Sequence, residues 1–136
     1  MPTRSGSAIW KGDLQGGDGV FRGAYSFASR FEEGEGTNPE ELIAAAHAAC
    51  FAMAFGNVLA SNGHTPESVE AHARAVLKEV DGAPTIARIE LTAEGRVPGI
   101  DRDEFERLAE EAKRDCPVSR ALAAVPEIRL EARLAS

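Results

Sequence analysis

Residues 42 to 60, LIAAAHAACFAMAFGNVLA, run for nineteen positions without a formal charge, and eight of them are alanine. Such a run is nearly long enough to cross a bilayer, but His47, Gly56 and Asn57 interrupt it. A small-residue helix that is apolar on every side is better suited to burial between other elements. Its start is legible. Asn38 and Pro39 read as N-cap and first helical residue, and Glu41 as the capping-box partner. The helix is expected to span about residues 38 to 61 and to stop at NGHTP. A small domain can hardly cover every side of it, so the pattern predicts help from a second subunit.

The rest of the 136 residues fits around this helix as one domain, residues 1–136. SAIWKGD (7–13) reads as a strand, followed by a glycine-rich turn. Residues 20–31 alternate as a second strand, with Val20, Tyr25, Phe27 and Phe31 as inward groups. Residues 67–80 and 84–97 read as two strands joined at DGAP. Asp101 caps a second helix, whose apolar positions Phe105, Leu108, Ala109, Ala112 and Cys116 follow the helical period. Pro117 ends it and opens a short helix to about Val125, and EIRLEARL closes the chain as a strand. The order β-β-α-β-β-α-α-β lacks regular βαβ alternation and predicts an α+β fold with antiparallel sheets.

Composition excludes some functions. The formal charge is −7, and the fifteen Lys and Arg are scattered. That argues against nucleic acid, which attracts a basic patch or stripe. The N-terminal MPTRSGSAIWKG has no apolar signal-peptide core, so a cytoplasmic location is expected, with no membrane partner. Two cysteines in that setting suggest a thiol pair and not a structural staple.

Cys50 and Cys116 both fall on core-facing helical positions where they can meet. Base rates favour inert packing for a buried cysteine, yet each has polar neighbours in an apolar setting: His47 before Cys50, Ser119 and Arg120 after Cys116. A reactive thiol must be a thiolate. Burial opposes that, and a mid-helix position gains little from the dipole, so a cation is needed. Arg30, just before the long helix, is the candidate; its other reading is a solvated charge. Glu40 lies about 80° round the helix from Cys50, but the rise between them is about 15 Å. Glu40 therefore acts through a long arginine, from a partner subunit, or merely on the helix dipole. His47 reads equally as a base or as a neutral packed histidine. A zinc site of His47, Cys50 and Cys116 lacks a fourth ligand and the usual spacing.

RFEEGEGTNPEELIAAAHAACF followed by CPVSRAL resembles the OsmC/Ohr family of hydroperoxide reductases, its OsmC branch in particular, over almost the whole chain. The resemblance implies an OsmC-like intertwined homodimer with its sites at the interface. It implies Cys50 as peroxidatic thiolate, Cys116 as resolving thiol, Arg30 as activating cation and Glu40 as the carboxylate holding it. The implied substrates are organic hydroperoxides, with hydrogen peroxide reduced less well. The implied reductant is an external dithiol of lipoyl type, and no cofactor or metal is required. The apolar side chains of Ile43, Phe51 and Phe55 are expected to favour bulky peroxides. Two alternatives stay open: a non-catalytic thiol redox sensor or binding module, and a structural dimer with inert cysteines.

Overall fold

The computed structural model describes residues 3–13, 16–20, 28 and 31–135. The elements are β1 (Thr3–Lys11), β2 (Asp18–Val20), α1 (Pro39–Ser61), β3 (Ser68–Val80), β4 (Ala83–Arg96), α2 (Arg102–Asp115), α3 (Pro117–Ala121) and β5 (Ile128–Leu134). The strands form one sheet in the order β2-β1-β3-β4-β5.

Local chemistry sets most boundaries as expected. The Asn38 side chain accepts a hydrogen bond from the Glu41 N–H at 2.8 Å, with Pro39 opening α1. Asp101 caps α2 through the Glu104 N–H at 2.9 Å. Asp81 and Gly82 both have positive φ, 50° and 79°, as the tight hairpin between β3 and β4 requires. Residues 21–27, 29 and 30, and with them Tyr25, Phe27 and Arg30, lie outside the described residues. The second strand does not run to Phe31. Ala28 and Phe31 are helical, and the Glu32 N–H bonds the Ala28 carbonyl at 2.9 Å.

The sheet is mixed, which corrects the expectation of antiparallel sheets. β1, β2, β3 and β4 pair antiparallel, but β5 runs parallel to β4, with Leu91 opposite Leu130 and Ala93 opposite Ala132. The cause is the connection. α2 and α3 carry the chain from the end of β4 back to its start, so β5 enters in the direction of β4.

The core lies between the sheet and its helices. Val69, Ala71, Ala73 and Ala75 of β3 and Ile89, Leu91 and Ala93 of β4 face inward. Glu70, His72, Arg74 and Glu90 alternate with them, following the two-residue strand period. α1 lays Ala44, Ala48, Phe51, Ala52, Phe55 and Leu59 on this surface. The Phe55 ring lies 5.5 Å from that of Phe51 and 5.0 Å from that of Phe105 on α2. Each such side chain contributes about 1.5–3 kcal/mol by leaving water. Gly95 makes room for α2: a Cβ there would stand 2.6 Å from Phe105 Cε2.

α1 is long and apolar enough to cross a membrane by length and composition, but half of its most apolar stretch is buried inside the fold. The helix is not covered all round. Leu42 and Met53 are 41% and 37% exposed, and Ala46 and Ala49 between them are partly exposed. At 100° per residue these four share one stripe.

Candidate active site

The two cysteines, 66 positions apart, meet. Cys50 sits in the middle of α1 and is half-buried, and Cys116 is fully buried. Their Sγ atoms are 2.9 Å apart and both are free thiols. Cys116 is not the last residue of a helix, as its spacing suggested, but the hinge between two. Its backbone is extended (φ −56°, ψ 128°) because Pro117 disfavours helical geometry in the residue before it. The Cys116 N–H still bonds the Ala112 carbonyl at 2.9 Å, and its own carbonyl accepts the Arg120 N–H at 3.0 Å. The thiol is thereby held where α2 ends and α3 begins, against α1.

A second polar pair lies beside the first. His47 Nε2 is 2.7 Å from Ser119 Oγ, and both residues are buried. His47 precedes Cys50 by three residues and Ser119 follows Cys116 by three, so the same two segments are joined twice. Sequence reasoning marked both residues as odd polar neighbours of the thiols but did not pair them. The signal was there in their matched spacing.

The electrostatics of the pair are unfavourable to a thiolate as they stand. Burial, first, and the hydrogen bond with Cys116, next, push the Cys50 thiol up to about 11. The Val118 backbone N–H, hydrogen-bonded to Cys50, pulls the other way. His47 cannot supply the missing positive charge. Burial lowers its pKa to about 4, so it is neutral at neutral pH. The ring is a neutral imidazole packed against Ser119 and is not the cation the thiol needs.

The remaining candidates are placed unequally. Glu40 is 3% exposed, in the first turn of α1, and is separated from Cys50 by about 15 Å of helix rise. Arg30 lies outside the described residues. Arg120 is exposed. Phe51 and Phe55 do not line a substrate approach as expected: both are fully buried in the core. The apolar surface near Cys50 is instead the exposed stripe with Ala46, Ala49 and Met53. Among the described residues no group of three or more His, Cys, Asp or Glu is placed to hold a metal ion. A groove of about 410 Å³ lined by Glu70, His72, Glu94 and Arg133 belongs to the outer sheet face and includes neither thiol.

Fold and site together define an α+β protein built around a pair of facing thiols, one half-exposed and one sealed. Residues 32–131 match the family model for OsmC, OsmC-like protein, and the chain belongs to the OsmC family. It is 43% identical over 141 residues to the Peroxiredoxin OsmC of Escherichia coli strain K12, covering 98% of this chain and 97% of that one. It is 30% identical over 133 residues to the Organic hydroperoxide resistance protein OhrB of Bacillus subtilis strain 168, covering 96% and 93%. The fold is shared with an OsmC-like protein from Mycoplasma pneumoniae, with a TM-score of 0.66, 16% identity, and 94% and 96% of the two chains covered.

Proposed function

We propose that this chain reduces organic hydroperoxides, hydrogen peroxide less well, with Cys50 as the peroxidatic thiolate and Cys116 as the resolving thiol. It is a cysteine-based peroxidase by family: its near full-length relative is named a peroxiredoxin. The observation that carries the assignment of residues is the 2.9 Å approach of Cys50 Sγ to Cys116 Sγ. A disulfide bond of about 2.0 Å then needs less than about 1 Å of closure.

The steps balance. The Cys50 thiolate attacks the terminal, hydroxyl oxygen of the peroxide, the O–O bond breaks, and the alkoxide takes from solvent the proton that the thiol gave up and leaves as an alcohol. Cys50 is then a sulfenic acid. The Cys116 sulfur attacks the Cys50 sulfur, the S–O bond breaks, and hydroxide leaves with the thiol proton as water. A small external dithiol, of lipoyl type, reduces the disulfide by exchange. Its attack falls on Cys50, the half-exposed sulfur, and Cys116 is the leaving group.

The thiolate needs a cation, since Cys50 is pushed up to about 11 and His47 is neutral. We assign that role to Arg30 and assign Glu40 to hold the arginine. A guanidinium both favours the thiolate and can donate to a peroxide oxygen. The uncovered stripe of Leu42, Ala46, Ala49 and Met53 supports a homodimer in which a second α1 covers the first. That arrangement supplies a way for Glu40 and Arg30 of one chain to serve the thiol of the other.

Stopped-flow oxidation by cumene hydroperoxide, followed by turnover with a dithiol, tests the reading. Cys50→Ser is expected to abolish turnover. Cys116→Ser is expected to leave one oxidation and then over-oxidation of Cys50, visible by intact mass. Full turnover in Cys50→Ser would overturn the assignment. Fast disulfide formation without turnover would instead favour a redox sensor.

A further inference from the structure

We propose that His47 and Ser119 are a positioning pair for disulfide closure, their hydrogen bond holding α3, and with it Cys116, against Cys50. The proposal rests on the reading of Cys50 and Cys116 as a redox pair, and its test is independent of peroxide.

Little else holds α3 down. The element has five residues, and Ser119 is its one buried member. Pro117 and Arg120 are exposed and Val118 is half-buried. So α3 is anchored to α1 by two side-chain contacts and by the Val118 N–H bond to Cys50 more than by apolar packing. The two contacts form rungs of one short ladder: His47 to Ser119 at 2.7 Å and Cys50 to Cys116 at 2.9 Å. Each rung lies three residues from the other along both segments, in opposite chain directions. Fixing one rung restricts how far the other can open.

The placement of a polar pair here also calls for a reason. Burying two polar side chains in an apolar helix contact costs desolvation that an Ala and Leu pair would avoid. The hydrogen bond offsets this and adds direction, which apolar packing lacks. The tautomer follows from the other ring nitrogen. His47 Nδ1 is buried without a hydrogen-bond partner among the described residues. A bare lone pair there is less costly than an orphaned N–H. The proton therefore sits on Nε2 and is donated to Ser119 Oγ. His47 moves no proton in this scheme: the water released on closure takes its hydrogen from the Cys116 thiol.

The test is equilibration of the Cys50–Cys116 pair with reduced and oxidised glutathione, read by alkylation and intact mass. Loss of the hydrogen bond leaves its partner unsatisfied, and His47→Leu and Ser119→Ala are each expected to lower the effective concentration of the thiols about tenfold. A tenfold change corresponds to about 30 mV of higher reduction potential. The double variant is expected to fall no further than either single one. His47→Gln, whose amide can donate over a similar reach, is expected to stay within about twofold of wild type. These expectations separate a specific bond from general loosening, which neither Gln rescue nor non-additivity would accompany. Ser119→Ala removes one atom and carries the test by itself if His47→Leu does not fold. Values within twofold of wild type for Ser119→Ala, additive losses, or a His47→Gln as impaired as His47→Leu would overturn the proposal. If the variants show these shifts while the wild-type protein shows no peroxide turnover, the peroxidase reading fails and the positioning pair stands.

Discussion

His47 makes the folded protein sensitive to mild acid, and the effect can be worked out in advance. In the fold its pKa is lowered from 6.5 to about 4, and the cause is burial. The unfolded chain therefore binds more protons than the folded one between these values. Stability from this group is complete above the unfolded pKa and is lost as pH falls through 6.5 towards 4. Between pH 7 and pH 5 the loss amounts to about 2 kcal/mol, and in full to about 3 kcal/mol. His47→Gln removes the titration while retaining a donor to Ser119. Urea unfolding of both proteins, reduced and at matched concentration, at pH 7 and pH 5 isolates the term, because every other titrating group is common to the two. With a slope of about 1–3 kcal/mol per M, the wild-type midpoint should fall by about 1 M more than that of the variant. Equal falls in both would refute the reasoning: His47 would then carry its ordinary pKa in the fold.

Three further expectations concern the site and its scaffold. Arg30→Ala should raise the Cys50 pKa and slow its alkylation at neutral pH by about tenfold or more; an unchanged pH profile would assign activation to another group. Mixing Cys50→Ser with Glu40→Ala chains should restore part of the peroxide turnover if sites are shared across a dimer. A mixture that native mass spectrometry shows to contain heterodimers, and that stays inactive, would place each site within one chain. Gly95→Ala should lower stability by about 1–3 kcal/mol by overpacking, since the new Cβ would meet Phe105 Cε2 at 2.6 Å; a melting temperature equal to that of wild type would contradict this.

What could be read from the sequence was whatever depends on near neighbours. Asn38 with Pro39, and Asp101 with Glu104, mark helix starts because a cap is made within three residues. Asp81–Gly82 marks the hairpin because a tight turn needs positive φ at adjacent positions. The charge-free run around Cys50 marks a helix that must be buried, and the family motif singles out the two cysteines. Longer-range features needed the assembled fold. The direction of β5 is set by where α2 and α3 deliver the chain, and the alternation in IRLEARL fits either direction equally. Phe51 and Phe55 lie close to Cys50 in sequence and so suggest an apolar surround for the peroxide, but Phe51 packs on Phe55 and Phe55 on Phe105, inside the core. The inequality of the two thiols, the neutrality of His47 and its bond to Ser119 at 72 positions' separation arise only when two distant segments exclude water between them. Burial and partners set pKa and reach, and neither quantity is a property of a residue and its sequence neighbours.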